Sequence, residues 1–268
     1  MDIAFDWRGH QVRWTRIGSG PPVVLCHGTP WSSYVWRRLA ARLSPTHRVY
    51  LWDMLGYGQS EKPAGDVSLA EQGRLLAALL HHWELAAPDV IAHDVGGAVA
   101  LRAHLLHQVR MRSLALADVV ALRPWGSPFF RLVAESPQVF TALPPNFHRA
   151  LLEEYIAGAV HIPLSVGVRD ALLAPWLGSD GQAAFYRQIA QADERHTDEI
   201  EHLYASIRIP TLIVWGVEDR WIPLDRATKL HQVIKGSRLE LIDGAGHLLQ
   251  EDQPDLFNSL LADWVQDQ

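Results

Sequence analysis

Apolar residues fall in short runs divided by strong breakers, and the period of those runs changes along the chain. Residues 3–7 and 11–17 alternate apolar and polar side chains about Arg8-Gly9-His10, which predicts a hairpin of two strands. After the break Ser19-Gly20-Pro21-Pro22, the run Val23-Val24-Leu25-Cys26 is apolar throughout, as expected of a strand covered on both faces. Similar buried strands are predicted over 48–52, 89–93, 113–120 and 211–215, with a last strand over 238–242. Helical patterns over 33–43, 68–83 and 97–107 separate the central strands, and Ser68 with Glu71 fits a capping box. Two further helices are predicted over 222–234, with Pro223 in the first turn, and over 254–265.

Strands that alternate with helices at this spacing imply a parallel sheet with helices on both faces. The alternation lapses between residues 123 and 209, where the pattern is helical, irregular and rich in proline and aromatic residues. The chain therefore divides into an α/β core, 1–122 and 210–268, and a helical cap, 123–209, inserted after the sixth strand. The core is expected to hold an eight-stranded, mostly parallel sheet. Ligands of open α/β sheets bind beyond the carboxyl ends of the strands, so the insert is placed as a lid.

Composition narrows the partners. The net charge of −6, with no basic run, argues against nucleic acid and anionic membrane surfaces. No apolar run is long enough to span a bilayer, and Met1 to Asp6 carries acids where a signal peptide has bases, so the chain reads as cytoplasmic. The single cysteine, Cys26, excludes an internal disulfide and reads as a small buried residue. The Gly-rich stretch 53–60 lacks the lysine and spacing of a phosphate loop, so no cofactor is expected. His104 and His107 share a helix face without accompanying acids or cysteines, so no metal site is expected either. The expected partners are a small-molecule substrate and water, with the oligomeric state left open. Eleven tryptophans fit both core packing and an aromatic-lined pocket.

The chemistry centres on Val90-Ile91-Ala92-His93-Asp94-Val95-Gly96-Gly97-Ala98. An apolar strand enters a small-residue turn and an Ala/Leu-rich helix follows, the context of a nucleophile elbow. Its apex is a carboxylate, Asp94, where Ser is usual. A carboxylate that attacks an acyl carbon gives an anhydride, which reverts easily. Attack on a saturated carbon bearing a good leaving group gives an ordinary ester, so the apex points to strained epoxides or alkyl halides.

Four segments at predicted strand ends carry a family resemblance. His27-Gly28-Thr29-Pro30 resembles the HGxP oxyanion loop of the α/β-hydrolase superfamily, and Asp53 to Ser60 its DxxGxGxS loop. Trp215-Gly216-Val217-Glu218-Asp219 resembles the WGxxD segment of the triad acid, and Gly244-Ala245-Gly246-His247 the GxGH turn of the triad histidine. Within the superfamily, His93-Asp94-Val95-Gly96-Gly97 resembles the Asp-nucleophile branch of epoxide hydrolases, haloalkane dehalogenases and haloacetate dehalogenases. The resemblance implies Asp94 as nucleophile, His247 as activator of water and Asp219 as its orienting acid. Backbone N–H groups of Thr29 and Val95 are implied as the oxyanion hole. Asp118, near the end of the preceding strand, is the alternative acid, because some dehalogenases place it there.

Departures within the branch point to the leaving group. Haloalkane dehalogenases resembling this chain have Trp after the nucleophile and often Asn before the loop proline; here the residues are Val95 and Thr29. The arginine pair of haloacetate dehalogenases is replaced by Val95 and Ala98. Epoxide hydrolases use cap tyrosines as acids. Phe185-Tyr186-Arg187 resembles one such segment, while the other falls near Phe129-Phe130, with Tyr155 as a substitute from the neighbouring helix. Tyr186, Tyr155, Trp31 and Phe130 are therefore the expected leaving-oxygen donor and pocket residues. The leading reading is an epoxide hydrolase-like enzyme acting on a small apolar epoxide. The alternatives are a haloalkane dehalogenase-like enzyme and a non-catalytic ligand-binding scaffold.

Overall fold

The computed structural model describes residues 1–268. Eight strands form one sheet in the order β1-β2-β4-β3-β5-β6-β7-β8. They are β1 (Ile3–Trp7), β2 (His10–Ile17), β3 (Pro22–Cys26), β4 (Arg48–Trp52), β5 (Asp89–His93), β6 (Ser113–Ala117), β7 (Thr211–Gly216) and β8 (Arg238–Ile242). The β1–β2 and β2–β4 pairs are antiparallel; every other pair is parallel. Burial follows the sequence pattern. β5, β6 and β7 are buried at every residue, whereas the edge strands β1 and β8 keep exposed positions.

Helices α1 (Arg37–Leu43), α2 (Leu69–His82) and α3 (Val95–Leu106) connect the strands of the first half. The chain moves from β3 to β4 through α1, then returns past β3 to β5 through α2. Right-handed crossovers in opposite directions place these helices on opposite faces of the sheet. The reversal leaves a crevice at the carboxyl ends of β3 and β5, where open α/β sheets bind ligands.

Between β6 and β7 lie α4 (Pro128–Glu135), α5 (Pro137–Thr141), α6 (Pro145–Ala157), α7 (Val166–Leu173), α8 (Gly178–Ala190) and α9 (Arg195–Glu201). This is the region expected to form the cap. Its own apolar residues, among them Val133, Leu152, Leu173, Phe185 and Ile189, are buried in the same contiguous core as the sheet. α10 (Asp225–Val233), α11 (Leu249–Asp252) and α12 (Pro254–Gln266) complete the chain, and α12 packs along α1. No helix is long and apolar enough to cross a membrane. The tryptophans divide as both readings required: Trp36, Trp52 and Trp215 are core residues, while Trp125 and Trp221 line a cavity.

Several boundaries differ from the sequence reading, each for a local reason. α3 begins at Val95, because the turn is made by Asp94 alone (φ 52°) rather than by the glycines after it. β6 ends at Ala117, because Asp118 takes a positive φ of 43° and breaks the ladder. The helix expected from Ile222 starts at Asp225, because the Ile222 N–H is committed to the side chain of Asp219. The capping box is half formed. Ser68 Oγ accepts from the Glu71 N–H, but the Glu71 carboxylate instead accepts from Trp7, Arg8 and Arg74.

The elbow packs directly on β3. A Cβ built on Gly96 would lie 2.4 Å from the His27 carbonyl oxygen and 2.6 Å from that of Cys26. Backbone on both sides leaves no room to yield. Gly96→Ala is therefore expected to lower stability by about 3 kcal/mol, the scale of severe overpacking. Urea unfolding followed by circular dichroism checks it; a loss below about 0.5 kcal/mol contradicts this packing.

Candidate active site

Asp94 sits at the turn between β5 and α3 with φ 52° and ψ −128°, a conformation unfavourable for a side chain with a Cβ. Three backbone hydrogen bonds hold it there. Its N–H donates to the Ala117 carbonyl, and its carbonyl accepts from Gly97 and Val120. The turn lifts the carboxylate off the strand into the crevice. Gly28 allows the close approach, since a Cβ there would lie 2.5 Å from Asp94 Oδ2.

The two carboxylate oxygens have different neighbours. Oδ2 accepts from the Thr29 N–H at 2.6 Å. Oδ1 lies 3.6 Å from Nε2 of His247. The Nδ1–H of His247 donates to Asp219 Oδ2 at 2.8 Å, and Asp219 Oδ1 accepts from the N–H groups of Trp221 and Ile222 at 2.7 and 3.0 Å. His93 Nε2 donates to the His247 carbonyl at 2.8 Å and braces that loop from β5. Val95, the first residue of α3, has an N–H that the helix itself cannot satisfy, and it lines the cavity beside Thr29 and Asp94. The loops after β3, β5, β7 and β8 thus bring together the residues singled out for the triad and the oxyanion hole.

Electrostatics couple these groups. Burial pushes the Asp94 carboxyl up, but the imidazoles of His247 and His93 and the Thr29 N–H outweigh it and hold it below the usual range. Burial pushes the His247 imidazole down, but Asp219 and Asp94 reverse the sign and hold it well above the ordinary value. The carboxylate form of Asp94 and the protonated form of His247 therefore favour each other. His93 is the reverse case, held down at about 4 by burial and by the charge of His247, so it stays neutral.

Asp118, the alternative acid, is fully buried after β6. One oxygen accepts from the Gly216 N–H at 2.9 Å and the other has no partner. Burial, with Asp219 close by, pushes its carboxyl well above the normal range. It is Asp219 that makes the hydrogen bond to His247. His93, Asp118 and His247 place ligand-type atoms within 4.8 Å of one another. The imidazole of His247 is already shared by two carboxylates, so a cation there would compete with those contacts.

The carboxylate of Asp94 opens onto a cavity of about 320 Å³. Its walls include Val95, Val120, Trp125, Phe130, Tyr155, Trp221 and Ile222, with Ser127, Glu154 and Arg220 as polar members. Tyr155 and Phe130 line this cavity. Tyr186 does not, and this corrects the expectation that it donates to the leaving oxygen. Its hydroxyl lies 2.9 Å from Nδ1 of His148, which it serves as donor because Nε2 of that ring donates to the Trp176 carbonyl. Helix periodicity turns Tyr186 into the cap interior, where it is fully buried. Trp31 is also withdrawn from the cavity wall; it is buried behind Trp221 with ring centroids 5.8 Å apart. Sequence reasoning missed Trp221, Trp125 and the cap residue Gln188. Gln188 accepts from Thr29 Oγ1 at 2.6 Å and from the Tyr57 hydroxyl at 3.0 Å, so it ties the oxyanion loop to α8. Only Trp221 carried a signal, its place two residues after Asp219.

Comparison with known proteins agrees with this geometry. Residues 23–260 match the model of the alpha/beta hydrolase family. Haloalkane dehalogenase 2 of Mycobacterium tuberculosis is 27% identical, over 94% of this chain and 90% of its own. The 2-hydroxy-6-oxo-2,4-heptadienoate hydrolase of Pseudomonas putida is 29% identical, over 93% and 90%. An alpha/beta hydrolase fold protein from Burkholderia ambifaria superposes with a TM-score of 0.95 at 48% identity, covering 98% and 97% of the two chains. The haloalkane dehalogenase DatA from Agrobacterium tumefaciens shares the fold, with a TM-score of 0.84 at 22% identity over 99% and 96%. By its sheet order, its elbow and this match over most of its length, the chain belongs to the alpha/beta hydrolase family.

Proposed function

We propose that this hydrolase acts at a saturated carbon through an ester on Asp94, most directly by opening a small, largely apolar epoxide to a diol. One observation carries the reading. The side chain at the elbow is a carboxylate held between the Thr29 N–H and His247, facing an aromatic cavity. In the first step an Asp94 oxygen attacks the epoxide carbon and the ring C–O bond breaks. In the second, water adds to the ester carbonyl and gives its proton to His247 Nε2, while the oxyanion is held by the N–H groups of Thr29 and Val95. Collapse returns that proton to the departing alcohol, and the second proton of the water, left on the Asp94 carboxyl, replaces the one the opening alkoxide took up, which restores the carboxylate.

The charge pattern gives these steps an order. Asp94 is one of the two carboxylates that raise the proton affinity of His247. Alkylation turns that carboxylate into a neutral ester, so the imidazole releases its proton more readily. The base becomes available once there is an ester to hydrolyse.

Tyr155 supports the epoxide reading. Tyr155 lines the same cavity, and burial with the nearby charge of Asp94 pushes its phenol well above the usual range, so it carries its proton. A loaded proton donor beside the nucleophile suits a leaving alkoxide, which remains attached and basic. A halide leaves without needing a proton. The dehalogenase reading has support of its own in the relative from M. tuberculosis, 27% identical along nearly its whole length.

Intact-mass analysis of His247→Gln with mixed epoxides and haloalkanes separates the two. The variant is expected to hold one covalent adduct, absent in Asp94→Asn, whose mass reports the substrate class. No adduct with either class counts against the ester route. Tyr155→Phe is expected to slow epoxide opening by about 10²-fold, the contribution of one general acid, and to leave any halide release much less affected. Stopped-flow kinetics with both substrate classes checks this, and equal losses count against a proton-donor role.

The acids are separable as well. Asp219→Asn removes the strongest partner of the imidazole, so burial dominates and the His247 titration moves to lower pH. Ester hydrolysis is expected to fall by about 10³-fold or more. Asp118→Asn replaces a neutral acid by a neutral amide that still accepts from Gly216, so it is expected to stay within about threefold of the parent. Single-turnover rates and NMR titration of the imidazole measure both; the opposite ranking would make Asp118 the working acid.

A further inference from the structure

We propose that Trp221 is a positioning residue for the second half-reaction, holding the imidazole of His247 from the cavity side and stabilising its protonated form through the π face of the indole. The proposal rests on the ester reading above. Trp221 touches the triad in two ways. Its backbone N–H donates to Asp219 Oδ1 at 2.7 Å, so it fixes the acid. Its indole centroid lies 4.9 Å from that of the His247 ring, with the planes 34° apart, so it also contacts the base.

The indole is itself held from the cap side and from the oxyanion loop. The Tyr155 ring of α6 stacks on it at 4.6 Å, Trp31 lies nearly parallel at 5.8 Å, and a Cβ on Gly158 would come within 3.3 Å of its Nε1. A ring fixed from several sides has little freedom to leave the imidazole.

The other groups around His247 do not supply this contact. Asp219 and Asp94 engage its two nitrogens. Asp118 is a neutral acid after β6. His93 from β5 lies 4.9 Å away but is neutral. Tyr155 meets Trp221, and Arg220 and Glu154 line the cavity without an ion pair to the triad. Trp221 alone presents an aromatic face from the substrate side.

A cation within about 6 Å of a tryptophan centroid is attracted to the ring, and more strongly where water is excluded. The charge on His247 changes through the cycle. In the alkyl-enzyme the imidazole is neutral, and it becomes positive as water attacks the ester. The contact therefore strengthens toward the transition state of hydrolysis, which is the condition for a rate effect. Alkylation moves the other way, because it removes a carboxylate that favoured the cation.

Trp221→Leu and Trp221→Phe test this, with styrene oxide and 1-bromobutane as probes in rapid-quench intact-mass experiments. In the leucine variant the ratio of hydrolysis to alkylation rate constants is expected to fall about tenfold, the scale of a desolvated cation–π contact, and the ester accumulates. The acid limb of hydrolysis moves to lower pH, and phenylalanine restores most of the ratio. An unchanged ratio, an unmoved limb or a phenylalanine variant no better than leucine overturns the proposal. A second measurement stands apart from turnover. NMR titration of the His247 imidazole is expected to shift to lower pH in Trp221→Leu and much less in Trp221→Phe. Failure of the ester reading shows as no adduct on Asp94 in His247→Gln, and this titration still decides the role of Trp221; equal titration in parent and leucine variant overturns it.

Discussion

The site depends on one constraint: a buried carboxylate kept charged at the point where the sheet reverses direction. An isolated carboxylate in that place would take up a proton, because burial disfavours its charge. Asp94 stays ionised because the Thr29 N–H binds one oxygen and the imidazole of His247 faces the other. Both neighbours arrive on loops at the carboxyl ends of strands, so the parallel sheet places them. The strained backbone at Asp94 serves the same end by presenting the carboxylate away from its own helix.

The triad has three carboxylates around one imidazole, and their unequal environments give them different roles. Asp219 is satisfied by two backbone N–H groups and by His247. Asp94 is satisfied by one N–H and faces the cavity. Asp118 has a single N–H and one oxygen without a partner, and burial disfavours its charge. Environment, rather than residue type, separates these three carboxyl groups. The cap adds a further layer, since Gln188 of α8 reaches Thr29 and Tyr155 of α6 packs on Trp221.

The succession of strands and helices along the chain and the mostly parallel sheet could be read from the sequence, because each element has a local cause. All-apolar runs such as 211–215 are buried on both faces, and the small residues after Asp94 mark a turn that only a close backbone approach requires. Boundaries were less legible where one residue turned the backbone, as Asp94 and Asp118 do at positive φ. The cap was the least legible region. Its helices pack irregularly, so a resemblance at Phe185-Tyr186-Arg187 could not say which face of α8 meets the cavity.

The sequence by itself determined the chemistry available: a carboxylate at the elbow apex, a histidine and acids at later strand ends, and no halide-binding tryptophan after the nucleophile. These are properties of residue type and local spacing. Only the tertiary structure decided which acid hydrogen-bonds His247, which tyrosine lines the cavity, and that Trp221 lies between His247 and Tyr155. Those outcomes depend on distances between residues far apart along the chain, and on burial, which sets the charge of each carboxyl. Neither quantity is written in local sequence, because both arise when separate loops converge over one end of the sheet.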